Sequence, residues 1–313
     1  MEPTATDEHL EPTQSADVLA LAVRAATHDG VRPLSEQTVL DVRRLPGSPA
    51  GEARTTHLLI EQRPDTPRPG VVAYAHVEHS EPPAAEIVVD PDHRHDGHGR
   101  TLATAVLERW PDTRFWAHGD LPAARALFGS LGLESVRDLW QMTRPLRGEW
   151  SDLPEVDLPD GFSVRPFEVG RDEQRWLEVN ARSFADHPEQ GRTTLADLQD
   201  RMSEPWFDPQ GFLLIEHGED LAAFHWTKVE PAEPGHSLPT SGEVYVVGVD
   251  PAYQGRGLGK ATTLIGLHHL RTRGLVSATL YVEGDNEPAL ATYHRLGFER
   301  SAIDVMYAAP AST

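Results

Sequence analysis

The stretch from Val244 to Lys260, VYVVGVDPAYQGRGLGK, joins a run of β-branched residues to a glycine-rich loop. The β-branched run predicts a buried strand, and the apolar periodicity from Leu264 to Leu270 predicts a helix after the loop. Glycine at positions 255, 257 and 259 lets the backbone turn tightly and approach a ligand closely. Backbone N–H groups and the helix dipole form an anion site at such a turn, and a pyrophosphate fits there.

Other interpretations of this loop are a plain tight turn without a ligand, a dinucleotide-binding turn and an ATP-binding loop. The Rossmann signature requires Gly-x-Gly-x-x-Gly and an acid about 20 residues further on, and neither is found here. A Walker A loop requires Gly-Lys-Ser/Thr, whereas Lys260 is followed by Ala261. The loop residues alone do not exclude the first interpretation, a tight turn that binds no ligand.

The loop is half of an internal repeat. The stretch from Val89 to Arg100, VDPDHRHDGHGR, precedes VDPAYQGRGLGK by 160 residues. Further on, ALFGSLGLE at 126–134 matches ATYHRLGFE at 291–299, with an offset of 165 residues. Two motifs in the same order at nearly the same spacing predict two copies of one module. We expect a first domain over residues 1–146, a linker over 147–160 that contains Pro154 and Pro159, and a second domain over 161–313.

Composition agrees with two ordinary globular domains, since the chain has 313 residues, 39% of them hydrophobic. No apolar run is long enough to span a membrane, and the polar, acidic start lacks the features of a signal peptide, so the cytoplasm is the expected compartment. The net charge of −21 argues against nucleic acid as a partner. The chain has no cysteine, which excludes disulfides, thiolate nucleophiles and cysteine zinc sites.

Hydrophobic periodicity predicts further elements in both copies. In the second copy we expect a first strand at 162–167, a helix over 172–184, and a hairpin of 212–215 with 222–226. In the first copy we expect a helix over 16–27 and a hairpin of 57–62 with 71–77. No first strand is obvious before that helix.

Three motifs of the second copy together resemble the GNAT acetyltransferase superfamily. They are Gln-x-x-Gly-x-Gly from Gln254, Asn-x-x-Ala from Asn286, and Tyr-x-x-Leu-Gly-Phe from Tyr293. The resemblance implies an α/β fold (an α+β mixed sheet, splayed at its fourth strand) in two tandem GNAT acyltransferase domains. It also implies that acetyl-CoA is the co-substrate and lies in the splay, with its pyrophosphate on the glycine loop.

The resemblance assigns acetyl-CoA contacts residue by residue. In the second copy they are Val247, Gly248, Val249, Gln254, Gly255, Arg256, Gly257, Leu258, Gly259, Lys260, Asn286, Glu287, Pro288, Ala289, Leu290 and Ala291. The corresponding residues of the first copy are Ile87, Val88, Val89, Arg94, His95, Asp96, Gly97, His98, Gly99 and Arg100. Two roles stay open for the first copy, which either binds acetyl-CoA or only supports the fold. The carboxylate of Asp96 argues against binding, because it repels a phosphate.

The two copies differ at the positions where the chemistry needs a base and an acid. Glu243 precedes the loop and is suited to be the general base, although it is equally a solvated glutamate at a strand edge. Its counterpart is Pro83, and the nearby Glu86 is three residues out of register. Tyr293 is the family's acid for the leaving thiolate or else a core tyrosine, and its counterpart is Phe128. The second copy is therefore the catalytic one.

Longer strings resemble the mycothiol synthase family of actinobacteria. They are RPLSE at 32–36, HPEQG at 187–191, FHWTKV at 224–229 and GEVYVVGVDP at 242–251. The resemblance implies acetylation of the cysteinyl amine of a cysteinyl-glucosaminyl-inositol, a small-molecule substrate. It assigns the acceptor contacts to Glu36, Glu189, Lys228, Glu243 and Tyr281. Taken singly, Glu36 is as well explained by a helix N-terminus, and Lys228 by a surface charge.

Other functions stay open on the residues alone. One alternative is a GNAT enzyme that acetylates another small-molecule or peptide amine, and another is a protein that senses acyl-CoA without catalysis. His93, His95 and His98 lie close together, but the loop accounts for them, so we expect no metal. We expect the chain to act as a monomer, without membrane or nucleic acid.

Overall fold

The computed structural model describes residues 3–7, 9–44, 55–62, 70–185, 190–231 and 239–310. The chain forms two compact units, one of residues 1–139 with 303–313, the other of residues 140–302. Each unit is a mixed sheet with helices on both faces, as the predicted fold class requires.

Within its described residues, the first unit contains four α-helices and the first strands of the chain. The strands are β1 (Thr4–Asp7), β2 (Thr55–Gln62), β3 (Gly70–Glu78), β4 (Ala84–Val89), β5 (Arg114–Ala117) and the start of β6 (Glu134–Pro145). The helices are α1 (Pro12–Asp29), α2 (Glu36–Arg43), α3 (His98–Arg109) and α4 (Pro122–Ser130). The end of β12 (Glu299–Ala308) also belongs to this unit, and the strand order is β1-β2-β3-β4-β5-β12.

The second unit repeats this arrangement. Its strands are the end of β6, then β7 (Phe162–Pro166), β8 (Phe212–His217), β9 (Asp220–Lys228), β10 (Ser241–Val249), β11 (Ser277–Glu283) and the start of β12. Its helices are α5 (Glu173–Ser183), α6 (Leu195–Met202), α7 (Leu258–Thr272) and α8 (Glu287–Arg295). The strand order β7-β8-β9-β10-β11-β6 mirrors that of the first unit.

The predicted elements are confirmed, with one addition. The strand at 162–166, the helix at 173–183 and both hairpins lie where periodicity placed them. The first copy also has a first strand, β1, which pairs antiparallel with β2 from Thr4–Leu59 to Asp7–Thr56. Its four residues, TATD, are mostly exposed and polar, so no hydrophobic pattern marks them.

The compact units do not coincide with the copies along the sequence. The predicted boundaries of 1–146, 147–160 and 161–313 describe the repeat and stay a prediction, whereas residues 303–313 belong to the first unit. There β12 pairs antiparallel with β5 through Val305–Ala117 and Tyr307–Phe115. A strand can satisfy its backbone hydrogen bonds on any free sheet edge, so sequence order alone does not fix where the last strand lies.

Apolar clusters lie on both faces of each sheet. In the second unit, α5 and α6 cover a cluster rich in aromatic residues that includes Trp176, Phe212 and Trp226. On the other face, α7 and α8 cover a cluster that includes Leu267 and Tyr293. The first unit repeats this, with α1 and α2 on one face and α3 and α4 on the other. The strands between the helices are therefore held rigidly, as a site carried on them requires.

Both sheets splay after their fourth strand. In the second unit, β10 pairs parallel with β11 from Ser241–Ser277 to Val244–Leu280, and within the described residues no pair follows. In the first unit, β4 and β5 pair only from Ala84–Arg114 to Glu86–Trp116. Beyond these points the edges of β4 and β10 that face the next strand have backbone groups available to a ligand.

Candidate active site

The glycine loop of the second unit is open towards solvent. Gly255 and Gly257 have left-handed backbones with φ of 75° and 80°, and a Cβ added at either, or at Gly259, meets no atom within 4 Å. Within the described chain, the backbone N–H groups of residues 255–260 donate to no protein acceptor. Because α7, 15 residues long, begins at Leu258, these donors lie at a helix N-terminus. The arrangement suits a phosphate or pyrophosphate.

Asp250 fixes the start of this loop. Its Oδ1 accepts from the N–H of Ala252 at 2.9 Å, and its Oδ2 accepts from Nε and Nη2 of Arg182 at 3.0 and 2.6 Å. Asp250 is 6% exposed, so these charge-assisted bonds are partly shielded from water. The loop is thus tied to α5 before its glycines begin.

The charged side chains of the loop lie at its surface. Arg256 and Lys260 are exposed, and the Arg256 guanidinium lies 5.1 Å from the ring centre of Tyr253. Gln254 is also exposed, and its Nε2 lies 3.5 Å from the carbonyl oxygen of Val249. The two cations therefore add positive charge beside the backbone donors.

Val247, Gly248 and Val249 lie on the splayed part of β10. On one edge they pair with β9, through His225, Phe224 and Ala223. The opposite edge is the one that β11 leaves after Val244. A Cβ at Gly248 would lie 2.6 Å from the Phe224 ring, so glycine here is required for packing. The structure therefore places this predicted segment where an extended ligand could pair with the strand.

Glu243 lies one residue before the splay. It is half-buried and pairs with Lys228 on β9 and Thr279 on β11. Directly opposite residues of an antiparallel pair share a face, so the Glu243 and Lys228 side chains project to the same side. A register shift follows at Tyr245, between Val244 and Val246. Such a bulge changes the aim of neighbouring side chains.

Lys228 is a buried cation rather than a surface charge. It is 5% exposed, and its Nζ lies 2.9 Å from Oε1 of Glu230. The same Nζ lies 4.9 and 5.4 Å from the ring centres of Trp206 and Tyr245. Aromatic faces and a carboxylate stabilise an ammonium that burial would otherwise disfavour.

Tyr281 lies on β11 just beyond the last residue that pairs with β10, Leu280. Its side chain is 46% exposed, which is unusual for a large ring on an inner strand. Tyr281 therefore lies at the mouth of the splay, and its contact with the acceptor stays a prediction.

Tyr293 lies on α8 inside the cluster under α7. It is 8% exposed, and its ring contacts Phe298 edge-on at 5.8 Å between centres. Burial raises the pKa of the Tyr293 hydroxyl to about 12. With its pKa raised, the hydroxyl keeps its proton near neutral pH, and no described residue forms a hydrogen bond with it, so it can donate one to a ligand.

The start of α8 contributes the remaining predicted donor contacts. Asn286 is the N-cap, and its Oδ1 accepts from the N–H of Ala289 at 3.2 Å. Glu287, Pro288 and Ala291 are exposed, whereas Leu290 is 9% exposed and points into the core. Any contact of Leu290 with a ligand would therefore come through its backbone.

The first copy builds the same loop with different side chains. Gly97 has φ of 87°, and His95 takes the left-handed backbone of Gly255 with φ of 68°. Asp90 accepts from the N–H of Asp92 at 3.1 Å and from Nε of Arg24 at 2.8 Å, as Asp250 does from its partners. The repeat found in the sequence is therefore a repeat of loop geometry.

The side chains of this first loop are less suited to a phosphate. Arg94 makes a two-point ion pair with Asp29, at 2.8 and 2.6 Å. A Cβ at Gly99 would lie 3.3 Å from the Leu127 side chain, whereas the space at Gly259 is open. Arg100 donates to Ser130 at 2.6 Å. Of the other predicted residues of this loop, Asp96 is exposed and His98 is half-buried. On the preceding strand, Ile87, Val88 and Val89 contact the two apolar clusters of this unit.

Residues 174–298 match the acetyltransferase (GNAT) family. Over 306 residues the chain is 52% identical to mycothiol acetyltransferase of Thermomonospora curvata, covering 96% of this chain and 95% of that one. It is 48% identical to the enzyme of the same name from Kytococcus sedentarius, covering 97% and 96%. The chain belongs to the mycothiol acetyltransferase family.

Solved structures support the fold of this family. A tandem GNAT protein from the clavulanic acid biosynthesis pathway has a TM-score of 0.70 and is 16% identical, with both chains covered completely. At that identity the likeness concerns the fold alone. The predicted arrangement of two tandem GNAT domains in one mixed α/β chain is therefore confirmed.

The described residues also bear on a metal site, a membrane span and the remaining acceptor contacts. No group of three or more histidine, aspartate or glutamate side chains is placed there to hold a metal ion. No helix in that part of the chain is long and apolar enough to cross a membrane. Glu36 is the first residue of α2 and half-buried. The predicted contact Glu189 lies outside the described residues.

Sequence reasoning missed a buried polar network in the first copy. Glu86 contacts His118 at 3.2 Å, and His118 contacts Asp304 at 3.0 Å through its other ring nitrogen. By sequence alone, Glu86 is only an acid three residues out of register with Glu243. No local pattern marks the partners of Glu86, because His118 and Asp304 lie 186 residues apart along the chain.

Proposed function

We propose that this chain transfers the acetyl group of acetyl-CoA to the cysteinyl amine of the cysteinyl-glucosaminyl-inositol, giving mycothiol and coenzyme A. The observation that carries the proposal is the difference between two similar loops within a member of the mycothiol acetyltransferase family. The second copy combines an open glycine loop with Glu243 and Tyr293. The first copy has Phe128 in place of Tyr293, and in place of Glu243 it has Pro83 by sequence offset and Ala84 by strand register, so it has no carboxylate there.

Acetyl-CoA fits the residues of the second copy. The N–H groups of residues 255–260 would hold its pyrophosphate, with Arg256 and Lys260 adding charge. The free edge of β10 at 247–249 would hold the extended arm. When bound, acetyl-CoA supplies an activated acetyl thioester, and the backbone N–H groups on that edge are suited to polarise its carbonyl.

Glu243 is proposed as the general base. An α-amine has an ordinary pKa near ~8, so only modest help is required to remove its proton near neutral pH. Glu243 is half-buried at the start of the splay, where a carboxylate can accept that proton directly or through a water. With no cysteine in the chain to carry the acetyl group as a thioester, we propose direct attack of the amine.

Tyr293 is proposed to assist the leaving thiolate. A thiol of ordinary pKa, near ~8.5, is a stronger acid than a phenol held at about 12. Full proton transfer from Tyr293 is therefore uphill by roughly 5 kcal/mol in this structure. We propose that its hydroxyl acts chiefly by donating a hydrogen bond to the developing thiolate.

The acceptor contacts are proposed at Glu36, Glu189, Lys228, Glu243 and Tyr281. The acceptor has many hydroxyl groups and one ammonium, and carboxylates accept hydrogen bonds from both. Lys228 lies opposite Glu243 in the sheet, and Tyr281 lies at the mouth of the splay. These positions support recognition close to the proposed base.

The first copy is proposed to be non-catalytic, within domains at 1–146 and 161–313 joined by 147–160. Its loop has the same backbone shape as the loop of the second copy but is less open to a phosphate. Arg94 is ion-paired with Asp29, and the Leu127 side chain lies close to Gly99. We also propose that the protein is a cytoplasmic monomer. We further propose that it binds no nucleic acid, because its net charge is −21.

The proposal is tested with purified full-length protein, acetyl-CoA and the cysteinyl-glucosaminyl-inositol amine. The product is measured by mass, because the thiol of the acceptor itself interferes with assays of released thiol. We expect one acetyl group on nitrogen and coenzyme A in equal amounts. Formation of no acetylated product, or faster acetylation of an aminoglycoside-like sugar or a peptide amine, would contradict the proposal.

A further inference from the structure

A buried network in the first unit joins three parts of the chain. The side chains of Glu86, His118 and Asp304 are 7%, 15% and 15% exposed. His118 lies between the two carboxyl groups, at 3.2 Å from Glu86 and 3.0 Å from Asp304. Asp304 also accepts from the N–H of Gly119 at 2.7 Å. Such a network holds its members in one arrangement, because breaking any contact leaves a charge buried without its partner.

The network continues into the first turn of α2. The second oxygen of Glu86 accepts from the N–H of Ser35 at 2.9 Å. Ser35 caps α2, and its hydroxyl accepts from the N–H of Thr38 at 3.2 Å. The Thr38 hydroxyl lies 3.1 Å from Nδ1 of His76. Glu36, the first residue of the helix, therefore lies between two residues that buried groups hold in place.

We propose that Glu86, His118 and Asp304 are positioning residues that fix the first turn of α2 and thereby aim the Glu36 carboxylate at the acceptor. The inference rests on the proposed function, since it requires Glu36 to contact the acceptor. None of the three residues is proposed to touch either substrate.

Electrostatics support this arrangement. Burial opposes ionisation of Glu86, but the hydrogen bond and charge of His118 and the N–H of Ser35 outweigh it and lower the pKa of Glu86 to about 2. Burial opposes protonation of His118, but Asp304 and Glu86 raise its pKa to about 10. Near neutral pH, Glu86 is thus an ionised acceptor, which binds the Ser35 N–H more strongly than a neutral one would.

The second copy has no such network at the matching position. The residue 160 positions after Glu86 is Val246, which belongs to the apolar cluster under α5 and α6. A buried carboxylate is costly unless it is paired, so Glu86 is not a neutral replacement for valine. The difference indicates that the first copy uses its charged residue for a task that the second copy lacks.

The test is a double-mutant cycle on acceptor affinity with the full-length protein. Glu36→Gln, His118→Gln and the double variant are compared with wild type for the KM of the acceptor, the KM of acetyl-CoA and kcat. We expect each single variant to raise the acceptor KM about tenfold, with the acetyl-CoA KM nearly unchanged. The double variant should be no worse than Glu36→Gln alone, because residues that act through one another are not additive.

Two further variants separate positioning from general stability. Val106→Ala, in the apolar cluster of the same unit, should lower Tm but leave the acceptor KM unchanged. If His118→Gln does not fold, Asp304→Asn serves in its place with the same expectation.

The outcomes distinguish this inference from the proposed function. An unchanged acceptor KM in Glu36→Gln would refute the acceptor role of Glu36, and this inference with it. If Glu36→Gln raises the acceptor KM while His118→Gln has no effect or multiplies it independently, the positioning role is wrong and the proposed function stands.

Discussion

Asp250 and Arg182 are joined by two hydrogen bonds, from Nε and Nη2 of the guanidinium to Oδ2 of the carboxylate, at 3.0 and 2.6 Å. The pair connects α5 to the turn before the glycine loop. The first copy repeats it with Asp90 and Arg24, at 2.8 Å from Nε. The two copies differ in most loop side chains but both keep this arginine–aspartate pair, which we call the anchor. This indicates that the anchor holds the shape of the loop and does not itself contact the ligand.

Loss of the anchor in the second copy should weaken acetyl-CoA binding. The Arg182 side chain is 52% exposed, so water screens the pair, and we expect Arg182→Ala to raise the KM of acetyl-CoA by roughly three- to tenfold. Steady-state kinetics at saturating acceptor measure this. Arg24→Ala is the matched control and should leave that KM unchanged. An equal effect of both variants would contradict assignment of the chemistry to the second copy.

The left-handed backbone at Gly257 should tolerate no β-branched side chain. Gly257 has φ of 80°, where a bulky L-residue costs on the order of 1–2 kcal/mol even though open space surrounds its Cα. We therefore expect Gly257→Val to raise the KM of acetyl-CoA at least tenfold by distorting the loop. Gly97→Val, at φ of 87° in the first copy, controls for strain without loss of the donor site. Unchanged acetyl-CoA binding in Gly257→Val would show that this loop does not hold the ligand.

Removal of the proposed base should lower turnover more than binding. We expect Glu243→Gln to reduce kcat by about 10²- to 10³-fold, with the KM of acetyl-CoA changed less than threefold, because proton removal is lost while the loop is intact. The loss should shrink as pH rises and the free amine becomes abundant. Glu299→Gln, an exposed glutamate of the same unit, is the control and should behave as wild type. A variant Glu243→Gln with full turnover would remove Glu243 as the base.

Tyr293 and Tyr307 offer a matched pair of buried phenols. Burial is the first cause that raises the pKa of each to about 12, and Tyr307 also donates to Asp120 at 2.7 Å. We expect Tyr293→Phe to lower kcat by roughly 10- to 100-fold, and Tyr307→Phe to lower Tm without changing kcat. Neither phenol should produce an alkaline limb in the rate below about pH 10. Full activity in Tyr293→Phe would exclude its role at the leaving thiolate.

The Glu86–His118 pair should make stability depend on pH in a defined direction. The folded-state pKa of His118 is raised from 6.5 to about 10, so its contribution is complete below pH 6.5 and is lost as pH rises towards 10. The pKa of Glu86 is lowered from 4.5 to about 2, so its contribution is complete above pH 4.5 and is lost as pH falls towards 2. The pair therefore stabilises most between pH 4.5 and 6.5.

Chemical denaturation at several pH values from 6 to 10 measures the alkaline side. The free energy of unfolding of wild type should fall through His118 by at most about 1.4 kcal/mol per pH unit. His118→Gln should remove that part of the slope, and Val106→Ala should retain it. Parallel curves for wild type and His118→Gln would show that His118 is not held protonated by its carboxyl partners.

The sequence located the repeat, the loop and the donor side of the site because all of these are local. A strand, alternating glycines and a helix follow one another within residues 244–260, and their backbone geometry is fixed by neighbours in the chain. The comparison of copies then located the difference at Pro83 against Glu243 and at Phe128 against Tyr293. The offset of 160 residues holds back to Glu86 and Val246, but the bulge at Tyr245 then places Ala84, next to Pro83, in the register of Glu243.

The short first strand of the first copy could not be predicted, since Thr4–Asp7 carries no hydrophobic alternation and is fixed only by its pairing with β2. Nor could the sequence predict that the end of β12 belongs to the first unit. Strands pair through their backbones whatever their separation along the chain. Lys228, which by sequence alone is as well explained as a surface charge, is a buried ammonium close to two aromatic rings.

By itself, then, the sequence determined two copies of one acyltransferase module and the asymmetry between them, because short motifs encode loop geometry and side-chain chemistry directly. Only the tertiary structure decided that β10 and β11 separate after Val244 and Leu280, that Glu243 lies one residue before that point, and that His118 joins Glu86 to Asp304. These relationships depend on packing between segments up to 186 residues apart, and no local pattern records which distant side chain will share a buried site.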